Sequence, residues 1–181
     1  MVLPPCKLSK EDHRMKKWVS FGFEALFLAL VFHACGSAKT SAEKEKLAAD
    51  VRNAVEIPDF TFKATYAYPT GYKSVYLSPY YDVKISPDTV KAYLPFYGRA
   101  YRAPMNPDEG GYRFTSTDFD YRVEEGDKRG NWNVTVMIRD QHRPLAFRFD
   151  IWENGTARLN VNDTDRQSIA FQGDLVIADK E

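Results

Sequence analysis

The chain is 181 residues long, 44% hydrophobic and 14% aromatic, enough to bury one core but short for two ordinary domains. Its 25 Lys and Arg balance 25 Asp and Glu, so no broad basic field exists to follow a phosphate backbone, and nucleic acid is excluded as a partner. Both cysteines, Cys6 and Cys35, fall near the N-terminus, which leaves the body of the chain without a disulfide framework or a cysteine-based zinc site.

The N-terminus reads as an address. Residues 1–14 are polar; from Met15 come Lys16 and Lys17, an apolar run at 18–32 interrupted by Glu24, and then His33, Ala34, Cys35 and Gly36. A charged region, an apolar region and a small residue before the cut are the parts of an export signal, and the run is short for a bilayer span. A buried core helix is the poorer reading, because the run has no polar face at the helical period. The segment resembles a bacterial lipoprotein signal peptide, with Phe32 where Leu is usual. That resemblance implies removal of residues 1–34, translation starting at Met1 or Met15, and diacylation of Cys35, which anchors the protein in a membrane. Residues 35–42 are small and polar and form a tether. Cleavage also removes Cys6, His13 and His33, so Cys–His or Ser–His–Asp chemistry can rest only on His142.

Thr40 and Glu43 stand at capping-box spacing, and Leu47, Ala48, Val51, Ala54 and Val55 form one apolar stripe, predicting an amphipathic helix that Pro58 stops. Phe60, Phe62, Ala64, Tyr66 and Tyr68 alternate with Thr61, Lys63, Thr65 and Ala67, the period of a half-buried strand, and Pro69-Thr70-Gly71 turns the chain. Tyr81, Val83 and Ile85 predict a second strand, and Ser86-Pro87-Asp88 opens a short helical turn.

That turn leads into the oddest stretch, residues 90–101, where aromatic side chains crowd around Pro95 and Gly98. Pro95 fixes φ and pushes Leu94 away from helix, while Gly98 permits backbone that side chains forbid. Tyr93, Phe96, Tyr97 and Tyr101 present large amphipathic faces, and Arg99 and Arg102 stand ready to stack on them or pair with a carboxylate. Two readings stay open: a clasp that closes the open end of a sheet, or a ligand or partner site formed by Tyr93, Phe96, Tyr97, Arg99, Tyr101 and Arg102. More tyrosines flank it, at positions 66, 68, 72, 76, 80, 81 and 112. The run Ala92-Tyr93-Leu94-Pro95-Phe96-Tyr97-Gly98-Arg99-Ala100-Tyr101, with the Tyr68-Pro69 turn and the strand at 81–85, resembles the signature of domain-of-unknown-function family 4251. Those are secreted or lipid-anchored proteins of Gram-negative gut anaerobes; the resemblance implies an envelope location and supplies no catalytic residues.

Residues 103–111, with two prolines and two glycines, read as a loop. Alternating apolar residues then predict five successive strands, at Phe119–Val123, Trp132–Ile138, Leu145–Ile151, Ala157–Val161 and Ile169–Ile177. Polar loops at 125–130, 140–144 and 162–166 and the type I′ signal Asn154-Gly155 join them as antiparallel neighbours. The expected fold is α+β, mostly β: an antiparallel meander of about seven strands forming a curled sheet or small barrel, with one N-terminal amphipathic helix packed on it, in a single domain at 43–181.

His142 lies in a polar loop, where histidine is usually solvated. Asn162, Asp163 and Asp165 offer oxygens to a calcium ion but lack the EF-hand glycine and distal glutamate, so turn formation accounts for them. Asp118 and Asp120 share one strand face and fit a solvated surface better than an acid–base pair. The sequons at Asn133 and Asn154 mean little behind a bacterial export signal. The function expected is a lipid-anchored cell-envelope protein, held by Cys35 and facing the periplasm on the outer membrane. It acts as a non-catalytic binding module for a small apolar ligand or an envelope protein, without metal or cofactor; a periplasmic hydrolase is the alternative.

Overall fold

The computed structural model describes residues 40–102 and 110–177. The expected signal, Cys35, most of the tether and the loop at 103–109 lie outside the described residues. Helix α1 (Ser41–Glu56) begins on the expected capping box: Glu43 N–H donates to Thr40 Oγ1 at 3.3 Å, and Thr40 N–H to Glu43 Oε2 at 2.9 Å. Val51, Ala54 and Val55 are its buried stripe. Its last carbonyls are taken by Ile57 N–H, on Asn53 at 3.0 Å, and Asp59 N–H, on Ala54 at 2.9 Å, which turns the chain into the first strand.

Ten strands follow where about seven were expected. They are β1 (Phe60–Pro69), β2 (Val75–Tyr76), β3 (Asp82–Ser86), β4 (Thr89–Pro95), β5 (Gly111–Ser116), β6 (Phe119–Glu125), β7 (Asn131–Ile138), β8 (Leu145–Trp152), β9 (Thr156–Asp163) and β10 (Arg166–Val176). The additions are β2, β4 and β5. The expected helical turn after Ser86 is a β3–β4 hairpin, with Ser86 opposite Thr89. Val90, Ala92 and Leu94 point inward along β4, and Pro95 ends the strand, where its missing N–H matters least.

The sheet is antiparallel throughout, in the order β5-β4-β3-β1-β10-β9-β8-β7-β6, with β2 beside β1. Its two edge strands, β5 and β6, are consecutive in the chain and separated by Thr117 and Asp118 alone. The polypeptide therefore bends at one corner and passes from one edge of the sheet to the other, curling it into a nearly closed barrel. Thr117 N–H donates to Asp140 Oδ2 at 3.1 Å and Arg139 N–H to the Asp118 carbonyl at 3.0 Å, pinning that corner. The Ser116 hydroxyl, ahead of the Thr117 N–H, holds the Asp140 carboxyl below its ordinary pKa.

Phenylalanines fill the barrel. Phe149 meets Phe60 and Phe62 edge-on at 6.0 and 5.7 Å, and Phe147 meets Tyr112 and Phe114 at 6.3 and 5.9 Å, so strands far apart in sheet order touch across the interior. The Tyr121 hydroxyl of β6 donates to the Val55 carbonyl at 2.7 Å and fixes α1 against the barrel. Burial holds this phenol neutral well above its usual range.

One irregularity decides what faces solvent. An unbroken alternation along β1 would put Tyr66 and Tyr68 on the same face as Phe60 and Phe62, but the register against β10 shifts between Ala64 and Tyr66. This β-bulge adds one residue and inverts the phase. Ala67 and Pro69 then face inward, and Tyr66 and Tyr68 face out. The opposing Gly173 is required here, because a Cβ would collide with the Lys63 carbonyl.

Candidate functional site

The residues singled out in the 90–101 stretch separate into three environments. Tyr93 lies outside the barrel, stacked on Tyr81 at 5.3 Å, with the Arg113 guanidinium 4.7 Å from its ring centroid and donating to its hydroxyl at 3.1 Å. Phe96 turns inward, edge-on to Tyr112 at 6.1 Å and beneath the Arg166 guanidinium at 5.0 Å. Residues 97–102 leave the sheet and cross to the β9–β10 hairpin. Gln167 N–H donates to the Arg99 carbonyl at 3.0 Å, Tyr101 N–H to the Asp165 carbonyl at 2.7 Å, and Ala100 forms an isolated bridge with Arg166. The stretch is thus a strap joining the end of β4 to the start of β10, the geometry of a clasp. On it Tyr97, Arg99 and Tyr101 are exposed, and Arg102, 81% exposed, reaches Asp165 loosely at 3.7 Å.

Under the strap is a charged knot. Asp163, whose side chain is 0% exposed, receives Arg143 Nε at 2.7 Å and the Asp165 N–H at 2.9 Å, with Arg166 Nε at 3.9 Å. Arg166, 6% exposed, also donates to the Gly111 carbonyl at 3.2 Å. Asp163 thus serves as a counter-ion that ties the β7–β8 loop to the β9–β10 hairpin, satisfied by charge-assisted hydrogen bonds. Sequence reading placed it in a turn and passed over Arg143 and Arg166; no local pattern marks an arginine that packs between aromatic rings. His142 is exposed in the neighbouring β7–β8 loop, and Asp120 pairs with Arg139 on the surface. Among the described residues no group of three or more His, Cys, Asp or Glu is arranged to hold a metal.

The third feature lies on the outer surface. Tyr66, Tyr68, Tyr72, Tyr76 and Tyr80 are exposed, from 39% at Tyr68 to 76% at Tyr80. Tyr66 meets Tyr76 edge-on at 5.3 Å and Tyr68 at 6.4 Å, so three of them make one cluster. Tyr68 donates to Gln172 Oε1 at 2.9 Å. It also forms part of the wall of two grooves, of about 410 and 390 Å³, which share Arg158; Trp152 and Gln172 line the first, and Arg148 and Asn160 the second. The hairpin from β1 to β3 and the outer face of β8–β10 thus carry aromatic rings among guanidinium and amide groups. Sequence reading noticed these tyrosines but could not give Tyr66 and Tyr68 their outward direction, since nothing around Thr65 announces a bulge.

The fold and surfaces define a helix-capped, nearly closed antiparallel barrel with an aromatic outer face. Residues 42–175 match DUF4251, a domain of unknown function, and the chain belongs to that family. It is similar to the crystal structure of a DUF4251 family protein from Bacteroides eggerthii DSM 20697, with a TM-score of 0.54 at 15% identity over 72% of this chain and 87% of that one. That likeness concerns the fold. No curated protein matches the chain.

Proposed function

We propose that the protein is a lipid-anchored, non-catalytic interaction module of the cell envelope, held at the periplasmic side of the outer membrane by Cys35 and taking a protein partner on its tyrosine face. The observation that carries this reading is the bulge in β1, which turns Tyr66 and Tyr68 away from the core and sets them beside Tyr76. Tyrosine gives large, rigid, amphipathic contact area at small entropic cost and is enriched where proteins meet. A cluster of exposed rings bordered by arginine and amide groups has the composition of such an interface. A partner on the outside fits better than a small apolar ligand within, because Phe62, Phe147, Phe149 and Phe171 already occupy the interior. The anchor rests on the residues that end in Ala34-Cys35.

Two experiments test the proposal. A photo-crosslinking residue at position 76, in cells that process lipoproteins, should give a discrete adduct that disappears when Tyr66 and Tyr68 become Ser. The same probe at Glu45, on the exposed side of α1, should give none; equal labelling at both positions would reject the tyrosine face. Mass spectrometry should find Cys35 acylated at the mature N-terminus and Cys35→Ser should leave the membrane fraction, whereas an intact N-terminus removes the anchor.

A further inference from the structure

Beside the Tyr66–Tyr76 cluster, the outer face of β8, β9, β10 and β1 carries a surface of different chemistry. Register places Arg148, Asn160, Ala170 and Tyr68 in one row across these four strands, and Asp150, Arg158, Gln172 and Tyr66 in the next. Cross-strand neighbours on one face stand about 5 Å apart, so each row is a continuous tract of side chains. Ala170 faces outward, between the core residues Ile169 and Phe171, and is nonetheless only 9% exposed. Its methyl group is the floor of a tract whose other members are long, and that difference in length opens the groove of about 390 Å³. The groove of about 410 Å³ adjoins it, with Tyr68 and Arg158 in both walls, so one ligand of linked units can occupy the two together.

The walls share one chemical character. Tyr68 and Trp152 contribute aromatic rings, Asn160 and Gln172 contribute amides that donate and accept at once, and Arg148 and Arg158 contribute guanidinium forks. The Tyr68 hydroxyl donates to Gln172 Oε1 at 2.9 Å, which fixes the ring and leaves the amide N–H groups as donors. Neither wall includes a carboxylate among the described residues. Asp150 stands opposite Arg158 in register, yet among the described residues no ion pair joins the two, and Arg148 and Arg158 are both exposed. The grooves therefore present positive charge with no acidic group in their own walls.

We propose that the two grooves bind an acidic oligosaccharide, a chain of uronic acid sugars, with its carboxylates on Arg148 and Arg158 and its rings against Tyr68 and Trp152. The C–H face of a pyranose packs on an aromatic ring, its hydroxyls donate and accept as side-chain amides do, and a planar carboxylate matches the guanidinium fork. An acidic peptide is the poorer fit. Peptide and protein recognition concentrates in apolar and aromatic anchors that fill pockets, and the outward floor here offers such an anchor little beyond the Ala170 methyl. The site goes beyond the protein-partner reading: Tyr68 belongs to both surfaces, but Arg148, Arg158 and Trp152 take no part in the Tyr66–Tyr76 cluster.

Calorimetric titration of the purified protein with oligogalacturonate, oligoalginate and hyaluronan oligosaccharides tests the proposal, with a neutral maltodextrin and polyglutamate as controls at constant ionic strength. At least one uronate chain should bind saturably, and neither control should match it. Arg158→Gln alters a residue common to both grooves and should weaken that binding about tenfold or more, the contribution of one charge-assisted hydrogen bond. Arg122→Gln removes the same charge from an exposed position on β6 and should leave binding unchanged. Both variants should melt with wild type, as exposed substitutions do. Arg158→Gln should also keep the photo-adduct at position 76, so the glycan site and the tyrosine face fail separately. Absence of saturable binding by all three uronate chains overturns the proposal. So does maltodextrin binding as tightly as the best of them, or polyglutamate doing so, which would make the arginines a dock for acidic protein. An equal loss in Arg158→Gln and Arg122→Gln also overturns it, because binding would then follow net charge alone.

Discussion

Truncating Phe96 to Ala separates the strap as a structural device from the strap as a recognition surface. Phe96 is half-buried, packs edge-on against Tyr112 at 6.1 Å and carries the Arg166 guanidinium 5.0 Å from its ring. A fully buried Phe→Ala change costs about 3–5 kcal/mol; partial exposure lowers that figure, while the loss of an aromatic pair and a desolvated cation–π contact keeps it at about 2–3 kcal/mol. For a domain of this length such a loss lowers Tm by about 10 °C. Arg99→Ala is the control. The Arg99 main chain is held by Gln167, its carbonyl accepting at 3.0 Å and its N–H donating at 3.3 Å, and an alanine keeps both bonds. The exposed side chain contributes at most about 0.5 kcal/mol. Urea and thermal unfolding of both variants, followed by tryptophan fluorescence, give the comparison. Equal losses would mean that the main-chain bonds alone do not hold the strap in place, and a negligible loss from Phe96→Ala would refute its role in closing the barrel.

Three further outcomes follow from the geometry. Gly98 has φ +152°, and a Cβ there would meet Phe96 Cζ at 3.2 Å and Gln167 Oε1 at 3.4 Å, so Gly98→Ala should cost about 1–2 kcal/mol in the same unfolding assay. Tyr121→Phe, which frees the Val55 carbonyl, should cost about 1 kcal/mol and speed amide exchange in the last turn of α1, where an unchanged exchange pattern would contradict the tie. Burial raises the phenol pKa of both Tyr112 and Tyr121 above the ordinary value of 10.0, so the unfolded chain ionises first. Their contribution is complete below about pH 10 and is lost as pH rises beyond it, by up to about 1.4 kcal/mol per pH unit for each phenol; Tyr112→Phe with Tyr121→Phe should flatten that alkaline decline.

Much of the fold could be read because side chains alternate along strands and short polar turns make neighbours. The five C-terminal strands and α1 with its capping box are local patterns, and each stands where those patterns put it. What escaped depends on partners distant in sequence. β4 was hidden because Pro87 and Pro95 bracket it and suggest a broken turn, yet its Val90, Ala92 and Leu94 find partners in β5, itself masked by its glycine start. β2 is two residues long and exists only because β1 offers an edge. The bulge at Thr65 is set by how β1 lies against both β10 and the β2–β3 segment, where Leu77 N–H donates to the Thr65 carbonyl at 2.8 Å. For the site, Phe96 and Tyr93 were visible as unusual aromatics, but one faces the core and the other the outside, a division that strand phase imposes. Arg143, Asp163 and Arg166 come from two hairpins and gain meaning only in space.

Tyrosine nitration with tetranitromethane, read by mass spectrometry on the purified protein and on the same protein in intact envelopes, tests the central claim most directly. Purified protein should be modified at Tyr66, Tyr72, Tyr76 and Tyr80, which are exposed, and spared at the buried Tyr112. In the envelope, with a partner seated on the tyrosine face, Tyr66 and Tyr76 should become protected while Tyr101, exposed on the strap, stays reactive. Equal modification of Tyr66 and Tyr76 in both settings would contradict the account, because the face that the β1 bulge creates would then be uncovered in the setting proposed for its partner.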